Sequence, residues 1–168
     1  MKKLRILFII SLLWACNKPV KLPLDIHLAE LQKNGLFEQS EEISIPYDKM
    51  YKKPKKYLGL PLKEILADQL CLKKVDHTRT RLIFQCNDNY VVSMPLDKAL
   101  SKNAYIVYKD LEAPQGKNWI DINNQGKKQT PAPYYMIWKD APIEDNSFVW
   151  PYQLTTILVV EIKKTVGE

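Results

Sequence analysis

From Glu42 to Ile162 the chain alternates short β-type runs with short helical ones, and no regular strand–helix–strand rhythm connects them. This interleaving constrains the fold more than any other feature, because it points to an α+β domain with a mixed β-sheet and short helices. Glu42 to Ile45 alternates polar and apolar residues and predicts a strand. Leu62, Ile65, Leu66 and Leu70 fall at helical spacing behind Pro61, which suits a first turn, so a helix is expected over Pro61 to Leu70. TRTRLIFQC is rich in β-branched and aromatic residues and predicts a strand. NDNY follows it, and Asp88-Asn89 is expected to close a tight hairpin onto the return strand YVVSM. Pro95 opens a short helix, PLDKALSK; AYIVYKD and YYMIW then read as strands. Thr155 to Ile162 is a β-branched closing strand.

Two stretches read differently. YKKPKKY, from Tyr51 to Tyr57, is expected to be a solvated hairpin or sheet edge, since Lys and Pro both blunt edges. Residues 112–133 are polar and bear Gly, Asn and Pro, which predicts a long loop. Before the first strand, Leu24, Leu28 and Leu31 suggest a short helix that Asp25 caps and Gly35 ends.

The amino terminus is not expected to belong to the fold. Lys2, Lys3 and Arg5 precede an apolar run from Leu4 to Trp14, which is shorter than the ~20 residues a membrane-spanning helix needs. It fits a secretory signal. Leu13-Trp14-Ala15-Cys16 resembles the lipobox of bacterial lipoproteins, a family in which the cysteine is acylated and becomes the mature first residue. The resemblance implies a signal peptide at 1–15, a lipidated tether at 16–24 and a domain at 25–168. It places the protein at the bacterial cell envelope, facing the periplasm, with the membrane as a partner through a lipid on Cys16.

Cleavage there would leave 153 residues with 22 basic and 19 acidic side chains, a net charge of +3. One domain of this size buries roughly 68–70% of its unfolded surface and needs no disulfide to be stable. The charge falls short of a nucleic-acid footprint. Cys71 and Cys86 remain, an even pair in an exported chain, and a bridge between them is one possible outcome. His27 and His77 are isolated, so no zinc pattern exists. Phosphate-loop, nucleophile-elbow and haem-attachment motifs are absent from the sequence.

The order YLGLPLKEIL, LIFQCNDNYVVSMPLDKAL, AYIVYKDLE, PAPYYMIW and FVWPYQLTTILVV resembles the sulfite-oxidase-like, molybdopterin-binding fold, over about Ile43 to Ile162. It looks closest to the small exported single-domain members. The resemblance implies an oxidoreductase-like fold in a respiratory or redox context, with molybdopterin as the family's cofactor and a c-type cytochrome or another redox protein as a partner.

The departures from that family carry chemical weight. Catalytic members hold molybdenum through a cysteine upstream of the Gly-x-Pro-Leu helix start, because a soft thiolate completes the metal's sphere. Between Gly35 and Tyr57 this chain has neither cysteine nor arginine. Arginines that clamp the cofactor phosphate and an oxyanion are hard to replace, and the mature chain has only Arg79 and Arg81. Asn89 stands where the family has the Gly of Asp-Gly-Tyr. The expectation is an accessory or binding domain with no cofactor, no catalytic residue and no metal ligand. The rival readings are a genuine molybdopterin-dependent oxidoreductase and a non-redox ligand-binding or structural lipoprotein. Cys86 is expected to be a packed small hydrophobe or half of a bridge, and Asp88 a turn residue. Tyr135, Trp138, Trp150 and Tyr152 read first as packing; partly exposed, they would join Asp88 and Tyr90 as a ligand or partner surface.

Overall fold

Two four-stranded antiparallel sheets form the body of a computed structural model that describes residues 20–124 and 126–162. The signal segment and Cys16 lie outside the described residues. The chain begins with β1 (Leu24–His27), α1 (Leu28–Lys33), β2 (Glu41–Asp48), β3 (Lys53–Pro61) and α2 (Leu62–Gln69). It continues through β4 (Thr80–Cys86), β5 (Val91–Pro95), α3 (Leu96–Leu100) and β6 (Ala104–Asp110). It ends with β7 (Ile122–Asn124), β8 (Lys127–Gln129), β9 (Tyr135–Trp138) and β10 (Leu154–Glu161). One sheet has the order β1-β10-β4-β5, the other β2-β3-β6-β9, and β7 and β8 form a small ribbon.

The α+β class stands. The sheets, however, are antiparallel in every described pairing rather than mixed. Hairpins join β2 to β3 and β4 to β5, and a short hairpin can link only antiparallel strands.

Strand alternation builds the main core. On β4, Thr80, Leu82, Phe84 and Cys86 point inward while Arg81, Ile83 and Gln85 are half-buried, the period of two that pleating imposes. With Ile157 and Val159 of β10 they meet Leu60, Ile106, Met136 and Trp138 of the second sheet. Leu62, Ile65 and Leu66 of α2 complete this core, and each such side chain contributes about 1.5–3 kcal/mol on burial. The second sheet is also covered on its other face. Tyr57, Tyr105, Val107, Tyr135 and Ile137 alternate with the main-core residues and form a separate apolar cluster with Ile43, Ile45 and Trp119. Strands β6 and β9 are therefore buried on both sides. Both cores draw all their fully buried members from residues 26–159.

Several local expectations change. Leu24–His27 is a strand and not the start of a helix, because pairing with β10 satisfies its backbone; Asp25 lies in that ladder opposite Leu158 and caps nothing. Gly35 does follow the helix, at φ 85°. The hairpin after Cys86 has three loop residues rather than two: Cys86 N–H donates to Tyr90 O, and Asn89 takes the left-handed conformation at φ 64°, the usual closure of a three-residue loop. The largest correction concerns YKKPKKY. Its second half is strand β3, held between β2 and β6 and not at an edge, and Lys55 within it is 1% exposed.

Candidate functional site

The pleat of β3 sends Lys55 and Tyr57 to the same face, toward the second core. An ammonium group there needs compensation, since an isolated buried charge is costly. The Lys55 Nζ donates to Asp110 at 2.5 Å and to Glu112 at 2.9 Å, and lies 4.6 Å from the centre of the Tyr51 ring. Asp110 is 0% exposed and ends β6, opposite Tyr57 in the ladder; its other oxygen accepts from the Glu112 N–H at 2.9 Å. Hydrogen bonding to Lys55 holds the Glu112 carboxyl below its ordinary range.

A second carboxylate organises the turn between β2 and β3. Asp48 Oδ1 accepts from the Met50 and Tyr51 N–H groups, both at 2.8 Å. Its Oδ2 accepts from the Tyr57 hydroxyl at 2.8 Å, and the Tyr135 hydroxyl approaches Oδ1 at 3.4 Å. Burial pushes the Asp48 carboxyl above its ordinary value, and those four donors oppose the shift. Burial, followed by the charge of Asp48, also pushes both tyrosine hydroxyls upward, so they act as hydrogen-bond donors.

The long loop closes over this cluster. Tyr51 donates to the Ile120 carbonyl at 2.6 Å, Trp119 packs 6.2 Å from the Tyr57 ring, and Asp110 N–H donates to Asn118 O at 2.8 Å. Far from being structureless, the loop carries the β7–β8 ribbon and a Trp119 that is 7% exposed. Chemically, the arrangement is a fastener. The amine is clamped between two carboxylates beneath the loop, and Asp48 is occupied by four donors. Two surface hollows of about 230 Å³ each lie elsewhere, one against Lys63, Glu64, Lys102 and Asn103, the other against Asn34, Gly35, Gln39 and Asp68.

The residues singled out from sequence do not assemble into one surface. Tyr135 is 0% and Trp138 2% exposed, on opposite faces of β9, because that strand is sandwiched between the two cores. Trp150 and Tyr152 are half-buried beside the second core. Asp88 and Tyr90 sit apart at the exposed β4–β5 turn, where Asp88 accepts from the Tyr90 N–H at 3.0 Å; this is the turn role expected of it. The Cys71–Cys86 bridge is not formed. Cys86 is a free, buried thiol facing inward from β4, and Cys71 is not free but has a different partner.

Sequence reading missed Lys55, Asp48, Asp110 and Tyr57. A usable signal existed: extending the alternation backward from Tyr57 places Lys55 inward, and Asp110 and Glu112, at the end of the neighbouring strand, are the acids that meet it.

Burial, followed by the nearby Asp88 charge, pushes the Cys86 thiol up to about 12. Arg79 is paired with Glu161 at 3.0 Å, and Arg81 donates to the Ser93 hydroxyl at 3.0 Å. Among the described residues no group of three or more His, Cys, Asp or Glu side chains is placed to hold a metal ion. No protein-family model matches the sequence, and no curated protein matches it either.

Proposed function

We propose that this protein is an exported, lipid-tethered binding or accessory domain of the bacterial cell envelope, built on a sulfite-oxidase-like architecture and working without a molybdenum centre of its own. One observation carries the functional half of this reading. Lys55 with Asp110, and Asp48 with Tyr57, are buried and already paired with one another, and the outer surface is read as the part that makes contacts. The architectural half is supported by the order of pieces. Gly59-Leu60-Pro61-Leu62 leads into α2, β4 runs into the Asn-Asp-Asn-Tyr turn, Pro95 precedes α3, and Trp150-Pro151-Tyr152-Gln153-Leu154 enters β10. The lipid tether rests on Leu13-Trp14-Ala15-Cys16.

The test uses the full chain produced in a host that makes the pterin cofactor. Purified protein is expected to contain no stoichiometric molybdenum and not to oxidise sulfite, and native Cys86 should resist alkylation until the protein unfolds. Stoichiometric molybdenum that disappears in Cys86→Ser would overturn the reading and establish the oxidoreductase alternative. The tether is tested separately. Cys16→Ser is expected to release the protein from the membrane fraction or leave it as uncleaved precursor, and unchanged fractionation and migration would remove the lipid from the proposal.

A further inference from the structure

Charge is distributed very unevenly over the chain. Residues 49–56 and 109–130 together hold nine lysines and three acids, a net charge of +6. The rest of the chain after residue 15 has thirteen basic and sixteen acidic residues, a net charge of −3.

The fold brings residues 49–56 beside residues 109–120, and the β7–β8 ribbon with Lys127 and Lys128 continues from there. Strand β3 pairs with β6 with Leu58 opposite Lys109, and Leu111 N–H donates to Lys56 O at 2.9 Å. The Tyr51–Ile120 hydrogen bond and the Lys55–Asp110–Glu112 cluster fasten the loop beside the β2–β3 hairpin. Lys55 and Asp110 cancel each other in the interior. Lys52, Lys53, Lys56, Lys117, Lys127 and Lys128 are exposed, and in these segments the acids not fully buried are Glu112 and Asp121.

We propose that this lysine-rich end is a docking surface for the anionic phospholipid headgroups of the membrane that holds the tether. The proposal rests on the lipid-tether reading above and adds a second, electrostatic contact to it. A basic patch beside a lipid anchor adds electrostatic attraction to an anionic membrane surface. The residue type selects the partner. Both segments contain no arginine. Guanidinium forks serve bidentate recognition of a particular phosphate, whereas lysines act as mobile point charges that suit a diffuse anionic surface. The aromatic side chains of the two segments, Tyr51 and Trp119, are turned into the second core and are not available to stack nucleic-acid bases.

The experiment uses the chain from Asn17 onward, without lipid; it retains all described residues, including both cores. Binding is measured by co-sedimentation with vesicles containing phosphatidylglycerol and with vesicles of phosphatidylcholine alone, at low and physiological salt. Anionic vesicles should bind and neutral ones should not, and binding should fall with salt. Each lysine near a charged surface strengthens binding by about fivefold. Reversing four of them, in Lys52→Glu/Lys56→Glu/Lys127→Glu/Lys128→Glu, should therefore weaken binding by at least a hundredfold. Lys73→Glu/Lys74→Glu, on a different segment, should change it less than tenfold. Equal binding to neutral vesicles, retention by the fourfold variant, an equal loss in the control, or tighter binding to a nucleic acid would each overturn the proposal. The tether itself is read from the Cys16→Ser fractionation, so failure of one does not mimic failure of the other.

Discussion

Replacing Lys55 with methionine keeps the length and apolar stem of the side chain and removes its charge. Lys55 is 1% and Asp110 0% exposed, and their 2.5 Å contact is the main compensation for a carboxylate in the interior. Lys55→Met leaves Asp110 with only the Glu112 N–H as partner. Breaking a buried pair from one side costs about 3–5 kcal/mol, because the remaining charge is uncompensated. That is a large share of the ~5–15 kcal/mol that holds a typical domain together. With a urea dependence of about 2 kcal/mol/M, the unfolding midpoint should fall by ~1.5–2.5 M. Removing the orphaned charge in Lys55→Met/Asp110→Asn should recover at least half of the loss, a coupling that only contacting residues show. Lys53→Met provides the control. Its ion pair with Glu112, at 3.6 Å, joins two well-exposed side chains, and such pairs contribute less than ~1 kcal/mol. The assay is urea denaturation followed by tryptophan fluorescence, since Trp119 lies over the cluster. A loss below ~1 kcal/mol in the single variant, or no recovery in the double, would refute the account of Lys55 as a buried, charge-compensated fastener.

Further outcomes follow from the same geometry. Gly59→Ala should destabilise by more than ~2 kcal/mol, because a Cβ there would lie 2.4 Å from the Ile106 carbonyl oxygen in the neighbouring strand; chemical denaturation measures it, and a loss under ~0.5 kcal/mol would contradict the close approach. For Asp48 the folded-state value is raised, so its contribution is present below the ordinary carboxylate value of 3.8 and is lost as pH rises through the higher folded value. Asp48→Asn cannot ionise, and the melting temperature of the parent relative to this variant should therefore decline between pH 3.5 and pH 7; a rise over that interval would reverse the sign of the assignment.

The sequence by itself determined the elements whose residues face one environment along their whole length. The alternation at Ile43 and Ile45 marked β2, the spacing of Leu62, Ile65 and Leu66 marked α2, and the β-branched run near the end marked β10. Local chemistry also placed Asp88 in a turn and Asn89 in the left-handed backbone that closes it. What the sequence could not decide was which polar residues the strand order would enclose. Lys55 and Lys56 are the same residue type, yet one is sealed inside and the other exposed, because β3 lies between β2 and β6 and one face of the pleat meets the second core. Asp110 becomes the partner of Lys55 only through the antiparallel register that sets it opposite Tyr57. Likewise, Cys71 and Cys86 looked pairable as an even count, but pairing depends on where two Cβ atoms point, and Cys86 points into the main core from the end of β4. Local propensity acts over a few residues; these outcomes depend on contacts between residues such as Lys55 and Asp110, 55 positions apart, which only the assembled sheets bring together.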